Sequence, residues 1–201
     1  MSSSSDSADL AQVLHWLLPL HFFYEKHDRP MADFQFIDGK EMPYPYRSLL
    51  VHENDMTPTL AAFHHSKLYL EVHEKEATES FVMRMVTLHT AASDIPVEFG
   101  AIGIHLENFA PDVRQLIIEG RVPLGAILGE HNIPHHGSPS AYFKVPADDF
   151  MCGTLKQEHG DTLYGRCNQL LDGDQMVIAD IVEILPRSNE SEAWVGNVNA
   201  E

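Results

Sequence analysis

Positive charge is what this chain has least of. Lys and Arg together number 13 against 30 Asp and Glu, a formal net charge of −17 over 201 residues. A phosphate backbone is bound by displacing its counterions with basic side chains, so no nucleic-acid partner is expected. The same acidic surface repels anionic membranes. A small anion stays admissible where the few basic residues converge on a pocket. Cysteine is scarce as well: Cys152 and Cys167 have no metal-type spacing and do not suggest a disulfide-built secreted fold. Long hydrophobic runs are missing, since the apolar stretch from Leu14 to Tyr24 is broken by His15, Pro19 and His21 and is too short for a bilayer. The first residues, Met1 to Asp9, are serine-rich and acidic where a secretory signal begins basic. A cytoplasmic protein is expected. There is no Gly-x-Ser-x-Gly, no Walker-type run and no dinucleotide glycine fingerprint, so nucleophile-elbow, P-loop and Rossmann chemistry have no signal. No internal repeat is present.

What is present describes one soluble domain with a full core: 44% hydrophobic and 21% charged residues. Ser2 to Ser7 reads as a tail. Leu10, Val13, Leu14, Leu17 and Leu18 have helical spacing, and Pro19 is expected to stop that helix. From His27 to Pro45 the prolines and Gly39 predict a covering loop. Asn54 or Asp55 is placed to cap a short helix from Met56 to Phe63. Strand-like runs follow at Lys67–Glu74, Ser80–Thr90 and Val97–Leu106, separated by polar turns. Pro111–Glu119 is helical by pattern with Gly120 as its stop, and Pro123–Leu128 is a second short helix. Further strands are expected at Ser140–Val145, Thr162–Leu171 and Gln175–Leu185, the last two joined by an Asp172-Gly173 hairpin. Strands dominate and no βαβ alternation appears. The expected class is α+β with an antiparallel sheet and inserted helices.

Arg84 stands out within this pattern. With a side-chain period of two it shares a face with Val82, Val86 and Leu88, the face a sheet would bury. A buried guanidinium needs an acceptor or an anion. Two readings are open: a structural salt bridge, or a site prepared for a carboxylate. On the last strand, Asp180 lies with Ile178, Val182 and Ile184, and Glu183 with Val177, Ile181 and Leu185. Asp180 can pair with Arg84, or the two can hold opposite ends of one ligand. The histidines, chiefly His131, His135, His136 and the pair His64-His65, suggest a metal. However, Pro134 and Gly137 spoil the helical spacing, and there is no His-Glu-x-x-His, so loop histidines without a metal are expected. Gly100, Gly103, Gly125 and Gly165 mark turns, packing or a close backbone approach.

Six segments in order resemble the chorismate pyruvate-lyase family and its hydroxybenzoate-forming or hydroxybenzoate-binding relatives. They are His52-Glu53-Asn54-Asp55-Met56-Thr57, Val82-Met83-Arg84, Pro96 through Ile102, Val122 through Leu128, Leu163-Tyr164-Gly165-Arg166, and Asp172-Gly173 through Asp180 to Pro186. The resemblance implies a division into an N-terminal tail, helix and covering loop (1–48), a chorismate lyase-like domain (49–186) and a polar C-terminal tail (187–201). It implies helical flaps over a buried aromatic acid. Arg84 would bind the ligand carboxylate, assisted by the Leu124 amide beside Gly125. Met56 and Thr57 would line the pocket, and Asp180 would face the ring hydroxyl. The best-known lyases look to have a glutamate where Asp180 falls here, and some lyases have a glycine-arginine pair where Gly100-Ala101 stands.

The activity implied is cofactor-free conversion of chorismate to a hydroxybenzoate and pyruvate, by holding the substrate and assisting a proton movement. Arg84 and Asp180 would then be catalytic, with Arg166, or else Arg121 or Lys144, on the enolpyruvyl carboxylate. The alternative is a non-catalytic aromatic-acid sensor of the same fold. No helix-turn-helix signal is seen.

Overall fold

A computed structural model describes residues 14–188. The expected N-terminal tail, the first four residues of the helix expected over residues 10–18, and most of the C-terminal tail lie outside the described residues. Seven strands form one sheet in the order β1-β5-β6-β7-β4-β3-β2. They are β1 (Gln35–Ile37), β2 (Leu68–Ala77), β3 (Phe81–Thr90), β4 (Pro96–His105), β5 (His135–Pro146), β6 (Thr162–Asp172) and β7 (Val177–Leu185). Every pairing is antiparallel. Two meanders, β2-β3-β4 and β5-β6-β7, join where β4 meets β7. This is the α+β architecture with an antiparallel sheet that the strand and turn pattern predicts.

Six helices cover the sheet among the described residues: α1 (Leu18–Lys26), α2 (Tyr46–Leu50), α3 (Met56–Phe63), α4 (Pro111–Glu119), α5 (Leu124–Glu130) and α6 (Asp149–Leu155). One face packs Met83, Met85, Phe99, Ala101, Val182 and Ile184 under Leu20, Phe23 and Tyr24 of α1 and Met151 and Leu155 of α6. On the other face lie two separate apolar clusters. Val82, Ile102 and Ile104 pack under α4 and α5, while Leu88 and Leu185 pack under α2 and α3. The gap between those two clusters is where the cavity lies.

Several local expectations change. Residues 14–16 are helical and give way to a turn at Leu17, before Pro19 as expected, and Pro19 itself sits in the first turn of the next helix, α1. A proline there loses nothing, because its missing N–H has no intrahelical acceptor anyway. The loop expected over 27–45 contains a short strand, β1, that pairs with β5 and extends the sheet. β5 starts at His135, so His135 and His136 belong to a strand rather than a loop. The β6–β7 hairpin is present with a longer turn than Asp172-Gly173 alone. The Asp172 carboxylate accepts from the amides of Asp174 and Met176, both at 2.9 Å, and Gln175 takes the left-handed conformation at φ 65°. Gly120 ends α4 at φ 73°, as a glycine stop should.

Candidate functional site

Cross-strand register decides what shares the cavity. Arg84 on β3 is opposite Ile102 on β4, Ile102 is opposite Ile181 on β7, and Ile181 is opposite Asn168 on β6. Directly paired residues point to the same face, so these four form one rung across the helix-covered gap. The next rung is Val86, Gly100, Glu183 and Arg166. A cavity of about 90 Å³ lies above the rungs. Val86, Leu88, Leu170 and Ile181 line it from the sheet, and Met56, Thr57, Leu124 and Gly125 from the helices. The first turns of α3 and α5 both border it. Neither helix has a side-chain cap at its N-terminus, and first-turn amides have no intrahelical acceptor.

Arg84 is 1% exposed, and its Nε and Nη1 are buried without a hydrogen-bond partner. Burial brings its pKa down to about 10, so it still carries its charge near neutral pH. The stem runs under Gly120, where a Cβ would lie 3.5 Å from Nη1 and 3.6 Å from Cδ. Lys75, opposite Arg84 on β2, donates to the Ile118 carbonyl at 2.6 Å, at the end of α4.

The other charges around the cavity are matched. Arg166, fully buried, pairs with Glu183 and donates to the carbonyls of Leu50 (3.1 Å), His52 (2.7 Å) and Asn54 (3.2 Å). Asp55 lies 3.1 Å from His135 Nε2, whose Nδ1 is 2.9 Å from the Ile133 carbonyl. Glu98 is 6% exposed with Oε2 unpartnered. Burial, and then the nearby Glu183, raise its pKa well above the carboxylate range, against the pull of Arg166. That favours the neutral acid. Arg84 is therefore the cavity's uncompensated charge.

Met56, Thr57, Arg84, Leu124 and Gly125 come together around the cavity. Asp180 does not join them. It sits opposite Gly103 on the reverse face of the sheet, 2.8 Å from Gln169 Nε2 and 3.3 Å from His105 Nε2. The Arg84–Asp180 pair is not formed, and the two residues face opposite sides of the sheet. Glu183, expected on the wrong face, is the last-strand acid that lines the cavity. Arg166 lies on the cavity face but is held by Glu183 and the carbonyls. Arg121 and Lys144 are not among the lining residues. Glu98 and Asn168 were not singled out by sequence reasoning. The signal that marks Arg84 marks them too, since each is a polar residue on a strand face shared with apolar neighbours. Among the described residues no cluster of three or more His, Cys, Asp or Glu side chains could hold a metal. No described helix is long and apolar enough to cross a membrane.

No protein-family model matches the chain, and no curated protein matches it in sequence. Solved structures do match. The effector domain of PhnF from Mycobacterium smegmatis aligns over 65% of this chain and 87% of its own, at a TM-score of 0.51 and 11% identity. Longer PhnF aligns at 0.54 over 68% of this chain, which spans only 65% of that protein. Gene product SA0254 from Staphylococcus aureus aligns at 0.52 over 68% of this chain and 90% of its own, at 6% identity. At such identities the likeness concerns the fold. The chain has the antiparallel α+β fold of the PhnF effector domain, a fold also shared with chorismate lyase.

Proposed function

We propose that this chain is a ligand-binding domain that takes a small carboxylic acid, of the hydroxybenzoate class, into the cavity between the α3 and α5 N-termini, with Arg84 as the carboxylate anchor. The observation that carries this reading is the buried, unpaired Arg84 guanidinium lining the cavity. An isolated buried charge costs several kcal/mol or so, and a carboxylate is the group that offsets it with paired hydrogen bonds. The effector domain of PhnF, named as such, has the same fold, which supports a sensing role. The cavity also argues for one carboxylate rather than two. Arg166, on the same sheet face, is engaged by Glu183 and backbone carbonyls, so a dicarboxylate such as chorismate would leave one charge unmatched.

One observation favours a second reading, turnover as a chorismate pyruvate-lyase. Glu98, held neutral, stands near the charged pair of Glu183 and Arg166, and such a split in charge state suits proton transfer. The experiment is calorimetric titration with benzoate, the hydroxybenzoates and chorismate, beside an assay for pyruvate. Binding of the monocarboxylates without pyruvate release is expected. Arg84→Met should remove that binding by 100-fold or more while the protein stays folded. Undiminished binding by the variant would sink the anchor, and pyruvate release by the wild type would establish the lyase.

A further inference from the structure

The cavity has a second pole. Asn168 is 3% exposed, and its Oδ1 is buried with no hydrogen-bond partner. It occupies the far end of the rung that begins at Arg84. Three strand spacings separate the two Cα positions, about 14 Å. Between them the rung is apolar, with Ile102 and Ile181, and Leu170 lies beside Asn168 on the same strand face. The nearest cationic neighbour on that strand face, Arg166, is fully engaged. No protein donor reaches Asn168 Oδ1. An amide oxygen stranded in this way is unfavourable, a cost that leucine, close to asparagine in shape, would avoid. Room for the amide is also maintained on its other side. A Cβ at Gly137 would lie 3.3 Å from Asn168 Nδ2 and 2.7 Å from the Glu53 carbonyl. Glu98 Oε2 is unpartnered in the same cavity.

We propose that the cavity selects a ligand carrying a hydrogen-bond donor, a hydroxyl or an amino group, at the end remote from its carboxylate, and that Asn168 is the specificity-determining residue that accepts from it. The inference rests on the carboxylate reading of Arg84 and adds the ligand's other end. The ligand class is then an acid with a charged head, an apolar ring-sized middle and a polar far end. A site with a buried acceptor rejects the analogue lacking the donor, because binding that analogue leaves the acceptor unpaired.

Titration with benzoate, 3-hydroxybenzoate and 4-hydroxybenzoate tests this. In the wild-type chain at least one hydroxy acid should bind roughly tenfold or more tightly than benzoate, the ratio that one satisfied buried acceptor supplies. Asn168→Leu should erase that ratio by bringing the hydroxy acid down to the affinity of benzoate, and keep or raise the melting temperature, since the orphaned oxygen is gone. If Asn168→Leu fails to fold, Asn168→Ala serves for the same ratio. Equal affinity for benzoate and both hydroxy acids in the wild type overturns the inference and leaves the Arg84 anchor standing. A preference that survives in the variant also overturns it. If none of the three acids binds, the proposed function falls and takes the inference with it.

Discussion

At the scale of single residues, Arg84 and Glu98 both carry a stability cost that a ligand can relieve. Lowering the Arg84 pKa from its ordinary value to about 10 corresponds to about 3 kcal/mol of unfavourable burial. Arg84→Met should therefore raise the stability of the ligand-free protein by roughly 1–3 kcal/mol while it abolishes acid binding. A residue kept for packing would show the reverse, and denaturant unfolding distinguishes the two. Glu98 works through a proton. Its folded pKa lies above the ordinary value of 4.5, so above that pH the native state holds a proton that the unfolded chain has lost. Stability is then fully present below the unfolded pKa and declines as pH rises toward the folded one. Glu98→Gln should flatten this decline, with its advantage over wild type growing as pH is raised above 4.5. Unfolding curves across a pH series measure it.

At the scale of elements, the cavity depends on how strands are registered and what ties the helices above them. Side-chain alternation within each strand is legible in the sequence: Arg84 with Val86, and Glu183 with Ile181 and Leu185. Which face of β7 meets which face of β3 is not legible, because β4 lies between them and a slip of one residue would exchange the faces. The resemblance places Asp180 on the cavity face with Arg84, whereas the register puts Glu183 on that face, one rung along from Arg84. Arg166 ties β6 and β7 to residues 50–54, which lead into the α3 N-terminus at the cavity edge. Arg166→Met would strand Glu183 as a buried, unpaired acid and free that segment. A loss of about 3–5 kcal/mol is expected, with residues 50–57 losing hydrogen-exchange protection first. Unchanged protection there would show that the tie is not what positions α3.

At the scale of the whole molecule, the helical flaps and the N-terminal segment have different roles. α1 covers the sheet face away from the cavity, with Leu20, Phe23 and Tyr24 buried in the core. Each contributes ~2 kcal/mol on the usual area argument. A fragment beginning at residue 49 is therefore expected to unfold at markedly lower denaturant or to aggregate. A cooperative transition at the intact chain's midpoint would show instead that α1 is dispensable. The acidic balance is likewise a property of the whole chain: with 13 basic residues against 30 acidic ones, a guanidinium left unpaired in the interior stands out.

The sequence by itself determined the class of fold, the strand count apart from the short edge strand β1, and the burial of Arg84. Those follow from local periodicity and turn chemistry, which neighbours along the chain settle among themselves. Through resemblance it also pointed to Met56, Thr57, Leu124 and Gly125, which line the same cavity as Arg84. Only the tertiary structure decided that Arg84 has no protein partner, that Arg166 is engaged by Glu183, and that Asn168 closes the rung opposite. Partner choice for a buried polar group depends on strand order and register across four strands. Those are set by the packing of both sheet faces together, and no single segment carries that information.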